Sequence, residues 1–232
     1  MTKICGKSVV KEAFNAGRKI YNIMVTDVFL EKEAKLVEVF KSNKIPVNVV
    51  KKHILEPYGN HQGILAEVED YKYKELNEVL NGNKQYFIIL DGIVDPHNLG
   101  AILRSADACS IDGIIIPKNR SVSLNATVAK VSTGAIEHVN VIQVNNITRA
   151  IQDLKKNGFW VVGTDMVADK LYTEIDPSTS LAIVIGNEGE GMSRLVKENC
   201  DYLVNIPMDG HVNSLNASVS AALLMYEIKR KR

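Results

Sequence analysis

The chain has 232 residues, 46% of them hydrophobic and 24% charged, with a formal net charge of +1 and a pI near 7.7. That is enough chain for one large domain or two small ones; no apolar run is long enough to span a bilayer, and the N-terminus has no signal-peptide core. Cys5, Cys109 and Cys200 are scattered, and neither they nor the five histidines have metal-ligand spacing, so reduced thiols, a cytoplasmic location and no metal are expected, while the balanced charge excludes binding to nucleic acid by a general basic excess.

In chain order, the first part alternates short helix and strand signals. Ser8–Ala16 reads as a helix and Tyr21–Thr26 as a strand. Glu31–Lys41 reads as an amphipathic helix with Ala34, Val37 and Phe40 inward, and Pro46–Val50 and Ile64–Val68 as strands. HILEPYGNHQG, before the last of these, is rich in turn formers. Residues 1–75 can bury a modest core of their own. The polar stretch EDYKYKELNEVLNGNKQ, with Asn81-Gly82-Asn83 near its end, marks a partly helical linker at 76–84, and a second domain covers 85–232.

From Tyr86 the texture changes. Tyr86–Leu90, Gly113–Ile116, Val139–Val144, Phe159–Gly163, Leu181–Ile185 and Tyr202–Ile206 are mostly continuous apolar runs, the pattern of strands buried on both faces of a parallel sheet. Helical patterns lie between them at Leu99–Cys109, Leu124–Ser132, Ile147–Lys156 and Met192–Glu198, and a last helix runs from about Leu215 to Lys229. Strand and helix alternate, so the class is α/β. Local basic patches are Lys41 with Lys44, Lys51 with Lys52, and the terminal Lys229-Arg230-Lys231-Arg232; as single patches they read as solvated faces.

Open parallel sheets bind ligands where strands end, and three such loops are rich in glycine and small polar residues. In LDGIVDPHNLGAILRSADA, residues 90–108, Asn98 can cap a helix, Gly100 lets another group approach closely, and Arg104 offers a planar fork of donors for phosphate or an oxyanion. Arg104 and Asn98, six residues apart, do not share a helix face. The second loop, in LAIVIGNEGEGMS (181–193), has glycines that match neither the dinucleotide nor the P-loop fingerprint; it reads as a place for a flat ligand to lie against backbone. In VNIPMDGHVNSLNASVSAALLMYEI, residues 204–228, Asn213 or Ser214 can cap the last helix; Ser218, Ser220, Ala221 and Ala222 permit close approach, and Val219, Leu223 and Tyr226 read as core.

These three motifs, in this order and one per loop, closely resemble those of the SpoU (TrmH) branch of the SPOUT methyltransferases over about residues 86–230. GKSVVKEA near the start and HQGI at 61–64 resemble the small ribosomal-protein-like RNA-binding domain of RlmB-like ribosomal RNA methyltransferases. Departures are Asn213, where an acid is common, and Ala217, where Val is common. The resemblance implies a parallel sheet ending in a trefoil knot, and transfer of a methyl group from S-adenosylmethionine to a ribose 2′-oxygen of RNA, with a guanosine of large-subunit ribosomal RNA first and a transfer RNA ribose second. Gly186, Ile206 and Leu215 would contact the cofactor, and Asn98, Arg104, Glu188, Ser214 and Asn216 would surround the catalytic centre.

The resemblance also implies a homodimer that shares its sites, with Ser218, Ala221, Ala222 and Met225 of the last helix near the interface, and RNA recruitment by the N-terminal domain through residues such as Arg18, Lys19, Lys51 and Lys52. Two rivals are a non-catalytic RNA-binding protein, disfavoured by the intact polar set, and a nucleotide-dependent oxidoreductase, disfavoured by the missing fingerprint.

Overall fold

A computed structural model describes residues 1–232. The chain forms two compact units, and one of them is discontinuous in sequence: Met1–Lys72 with Leu124–His138, against Tyr73–Ser123 with Val139–Arg232.

The first unit begins with β1 (Thr2–Cys5), α1 (Lys7–Asn15), β2 (Ile20–Val25), α2 (Asp27–Lys32), α3 (Ala34–Ser42), β3 (Val47–Val49), α4 (Lys52–Leu55) and β4 (Ile64–Val68). Its sheet has the order β1-β4-β2-β3, antiparallel except for the β2–β3 pair. The expected helix over 31–41 is two helices, divided at Glu33, whose backbone leaves the helical range and whose carboxylate takes the Lys7 ammonium at 2.5 Å. Val37 and Phe40 are buried as expected, but Ala34, at the start of α3, is exposed. Gln62 explains part of HQGI: its Oε1 accepts from the Lys7 N–H at 2.9 Å and so caps α1 from far along the chain.

The second unit begins with α5 (Leu76–Val79), β5 (Tyr86–Asp91), α6 (Pro96–Ala108) and β6 (Gly113–Pro117). The chain then contributes α7 (Ala126–Val131) and a 3₁₀ turn, Ala135–Glu137, to the first unit, where α7 packs along β1. There Arg18 is buried, not displayed to RNA. Its guanidinium bonds Glu137 at 2.8 Å, stacks 3.5 Å over the Tyr71 ring and donates to the Glu69 carbonyl. Removing one partner of such a buried pair typically costs about 3–5 kcal/mol. Gly134, at φ 96°, lets α1 come close, since a Cβ there would lie 2.6 Å from that of Glu12.

The second unit resumes with β7 (Val141–Val144), α8 (Ile147–Lys156), β8 (Trp160–Thr164), β9 (Lys170–Leu171), β10 (Leu181–Gly186), α9 (Arg194–Asn199), β11 (Tyr202–Asn205) and α10 (Ala217–Lys231). Its seven strands lie in the order β7-β6-β5-β10-β8-β11-β9, and every pairing is parallel. Phe87 and Ile89 of β5 join Ile151 and Leu154 of α8 in one core layer, and α6 and α10 pack together on the sheet, which is why these strands are apolar on both faces. The 76–84 segment is no bare linker: Leu76, Val79 and Leu80 pack on that core, and Lys74 bridges to Ile142. No helix is long and apolar enough to cross a membrane.

The last helix also departs from expectation. Val219, Leu223 and Tyr226, read as core, are 47%, 37% and 52% exposed, while Ala221 and Met225 are fully buried. The terminal cations are spent within the unit: Lys229 donates to the Ala108 carbonyl at 2.7 Å, Lys231 to that of Ile175 at 2.8 Å, and Arg232 to those of Cys109 and Ser110. Lys229 and Arg232 satisfy carbonyls at the end of α6, where a helix dipole favours cations, while Lys231 serves the segment before β10.

Candidate active site

Strand order turns between β5 and β10: β6 and β7 follow outward on one side of β5, and β8, which comes before β10 in sequence, lies beyond β10. A parallel sheet opens a crevice at such a point, beyond the carboxyl ends of its strands. The loops after β5, β8, β10 and β11 meet there.

Asp95, not Asn98, caps α6, by accepting from the His97 N–H at 2.9 Å. Pro96 takes the first helical position, which suits its fixed φ and missing N–H. Asn98 therefore falls inside the first turn, 8% exposed, with its side chain free for tertiary bonds. Likewise Asn216, not Asn213 or Ser214, caps α10: its Oδ1 accepts from the Ser218 N–H at 2.9 Å and the Ser218 hydroxyl at 2.6 Å.

These assignments orient a relay. The Ser218 backbone N–H can only donate, so the Asn216 side chain must present its oxygen there and its Nδ2 elsewhere. That Nδ2 donates to Asn98 Oδ1 at 3.0 Å and, more loosely, to Glu188 Oε1 at 3.4 Å. Asn98 Nδ2 in turn donates to Glu188 Oε1 at 2.5 Å. One carboxylate oxygen of Glu188 thus receives both amides, and Oε2 has no bond within the chain.

The loop that carries Glu188 is closed on itself. Asn187 and Gly191 exchange backbone bonds at 3.2 and 3.1 Å, and Asn187 Oδ1 accepts from the N–H groups of Gly189 and Glu190. A Cβ on Gly186 would lie 2.2 Å from the Gly191 carbonyl carbon, so glycine is required there by the loop's own crossing, not by a ligand lying on it. Asp91 at the end of β5 accepts from the Ser193 N–H at 2.7 Å and ties the first loop to the second.

A cleft of about 540 Å³ opens beside this relay. Gly186, Ile206 and Leu215 line it together, with Glu188 and Ser214. Asn98 and Asn216 stand behind Glu188 rather than in the wall. Arg104 is not brought in: it is exposed on α6 while Asn98 is buried, as their spacing requires. Sequence reasoning missed Asp165 and Lys197, an ion pair in the cleft wall. Burial pushes the Asp165 carboxyl up, but bonds from Lys197 and the Val167 N–H outweigh it, so its pKa lies below the ordinary value. The strand-end rule would have found it, since Asp165 directly follows β8. No group of three or more His, Cys, Asp or Glu side chains is placed to share a metal ion.

Comparison with known proteins bears on the family and the fold. Residues 85–226 match the model of the SpoU rRNA Methylase family, and residues 3–74 match that for RNA 2′-O ribose methyltransferase substrate binding. A Staphylococcus saprophyticus protein named for the TrmH family of tRNA/rRNA methyltransferases is 49% identical, over 99% of this chain and 95% of its own. The crystal structure of the SpoU methyltransferase AviRb from Streptomyces viridochromogenes, in complex with AdoMet, shares the fold at a TM-score of 0.87 and 24% identity, over 99% of this chain and 90% of its own. A crystal structure of an RNA 2′-O ribose methyltransferase is 27% identical at a TM-score of 0.81, over 99% of this chain and 88% of its own.

Proposed function

The chain belongs to the SpoU rRNA methylase family, and from that premise we propose that it is a cytoplasmic enzyme that moves a methyl group from S-adenosylmethionine to a ribose 2′-hydroxyl of RNA, a guanosine of large-subunit ribosomal RNA before a transfer RNA ribose. The observation that carries the reading is the relay from Ser218 through Asn216 and Asn98 to Glu188, which holds one carboxylate oxygen idle at the edge of a cofactor-sized cleft. Cofactor pockets usually measure ~300–1,000 Å³ and combine apolar walls with a few fixed polar groups. Here Met166, Ile206, Met208 and Leu215 supply the apolar wall for a purine, and Glu188 and Glu190 supply negative charge suited to a sulfonium, Asp165 being balanced by Lys197.

When bound, the cofactor supplies an electrophilic methyl group, and positioning of the ribose oxygen is the larger part of the rate gain. Glu188 Oε2 is available to orient a ribose hydroxyl. Arg104, with no partner in its own chain, is assigned to the acceptor. A guanidinium keeps its proton below a pH of roughly 12, so its role is to stabilise the forming alkoxide and hold the adjacent phosphate, not to act as base. Because Arg104 lies on the exposed face of α6, it serves the site of a second subunit. Val219, Leu223 and Tyr226, spaced along the exposed side of α10, are the apolar stripe for that homodimer. Leu223→Glu should turn a sedimenting dimer into a chain of 25.7 kDa; wild-type protein that is already monomeric at micromolar concentration would refute the dimer.

The test of the function is to map 2′-O-methyl groups on total RNA from cells with and without the protein, alongside calorimetry with S-adenosylmethionine. One or a few ribose methyls, most of them in ribosomal RNA, should disappear in its absence. An unchanged methyl map, or no cofactor binding, refutes the reading; loss of a methyl from transfer RNA alone moves it to the second substrate.

A further inference from the structure

Of the chain's seven arginines, five are engaged within it: Arg18 with Glu137, Arg149 with Asp153, Arg194 with Glu198, Arg230 with Glu227, and Arg232 with the carbonyls at the end of α6. Arg104 and Arg120 make no hydrogen bond, ion pair or ring contact. Arg104 has been assigned above. Arg120 is exposed in the loop between Pro117 and Ser123, after β6.

Its backbone is unusual as well. Five non-glycine residues have a positive φ: Lys44, Gln62, Ser110, Arg120 and Thr133. Lys44, Ser110 and Thr133 each directly follow a helix C-cap, at Asn43, Cys109 and Ser132, where a left-handed residue closes the helix. Gln62 earns its conformation by capping α1. Arg120, at φ 58°, ends no helix, and its side chain bonds nothing. Left-handed backbone at a long side chain is disfavoured, and where no structural duty accounts for it, function is the inference to test.

The loop's position says what that function is. β5 and β6 are parallel neighbours, with Ile89 opposite Ile115, so the segment after Pro117 emerges beside the turn after Asp91. The Val122 N–H donates to the Ile93 carbonyl at 3.0 Å and fixes the loop to the turn that leads into α6 and Asn98. Lys118 is exposed on the same loop, with no partner for its ammonium. Two unpaired cations on an open loop, with no enclosing pocket, suit a polyanion that passes over the surface rather than a small anion that must be surrounded. Arginine's fork matches phosphate oxygens two at a time.

We propose that Arg120, supported by Lys118, grips a backbone phosphate of the RNA beside the nucleotide to be modified, as a contact within the catalytic unit that is separate from recruitment by the first. This rests on the RNA methyltransferase reading above. The full-length Arg120→Gly variant removes the charge and puts at φ 58° the residue that tolerates it best, so its thermal melt should not fall; Arg120→Lys restores the charge. RNA binding is measured across a salt series, with calorimetry for S-adenosylmethionine.

For Arg120→Gly the slope of log affinity against log salt should become shallower by about 0.7–0.9, equivalent to about five- to eightfold weaker binding at 0.1 M salt. KM for RNA should rise with kcat and cofactor affinity unchanged, and Arg120→Lys should restore the salt slope but only part of the affinity, since an ammonium lacks the fork. Wild-type affinity and slope in Arg120→Gly, while the wild type methylates RNA, would overturn this proposal alone. A wild type that neither binds nor methylates RNA would overturn it together with the functional reading.

Discussion

Asn98 and Arg104 lie fewer than two turns apart on one helix and face opposite surroundings: one is buried and bonded at both ends of its amide, the other exposed and bonded to nothing. Arg104→Ala should therefore leave the melting temperature within about 2 °C of wild type, since isolated surface changes stay within roughly 0.5 kcal/mol, yet lower methyl transfer by roughly 100- to 1,000-fold with cofactor affinity intact. If calorimetry shows loss of cofactor binding as its main defect, the assignment to the acceptor is wrong. Asn98→Ala should do the reverse in part and cost about 1–3 kcal/mol of stability, because Asn216 and Glu188 each lose a partner. The polar set was legible from residue types in the motifs, but the relay was not. Asn98 reads as a cap until Pro96 is noticed at the first helical position, and Asn213, Ser214 and Asn216 are equivalent cap candidates until the helix start is known. The cysteines carry a chemical prediction. Burial, with Asp201 adding to it, pushes the Cys200 thiol up to about 12, and burial also raises Cys5 and Cys109. At pH 8 all three stay protonated and unreactive, so a thiol reagent should titrate almost none in native protein and three after denaturation. Rapid labelling of one native thiol would contradict that environment.

At the scale of elements, the six long strands of the second unit fall where continuous apolar runs place them, because burial on both faces leaves one composition for a parallel strand. What periodicity does not encode is the partner of an apolar stripe. Val219, Leu223 and Tyr226 have the same spacing as buried positions, but on α10 the faces toward α6 and β10 are filled by Ala221, Leu224, Met225 and Ile228. The run Lys229-Arg230-Lys231-Arg232 shows the same limit for charge. A basic tail reads as solvated or RNA-facing, whereas here Lys229 and Arg232 close the end of α6, Lys231 bonds the Ile175 carbonyl, and Arg232 stacks 3.9 Å from the centre of the Tyr86 ring. Deleting residues 229–232 should cost roughly 2 kcal/mol, as several charge-assisted bonds to carbonyls are lost, or about 4–8 °C in melting temperature at this chain length. The salt dependence of RNA binding should not change. A shallower salt slope with an unchanged melt would return the tail to the RNA interface.

At the scale of the molecule, the discontinuous first unit decides how the protein can be cut. Its core includes Val128, Ala129, Ala135 and Ile136 from the 124–138 segment, and Glu137 is the buried partner of Arg18. A fragment starting at residue 73 leaves those apolar groups uncovered and Glu137 without its cation. It should aggregate or melt far below wild type in light scattering and calorimetry. The same fragment with 124–138 replaced by a short Gly/Ser linker should fold and bind S-adenosylmethionine, because β5 to β11 and α10 carry the cleft. If the unreplaced fragment is monodisperse and as heat-stable as the replaced one, the segment is not integral to the first unit. The sequence offers no sign of this exchange, since Leu124–Ser132 reads as one more crossover helix. The excursion also sets a timetable during synthesis. Residues 1–72 leave the ribosome first, but the pieces that complete their core follow about sixty residues later, after the first two strands of the other sheet; at 5–20 residues per second the nascent unit waits on the order of 3–13 s with β1 and α1 uncovered. That interval makes the N-terminal segment a natural client for a trigger-type chaperone, and synonymous codons that slow elongation between residues 73 and 123 should lower the soluble yield more than equal slowing after residue 138.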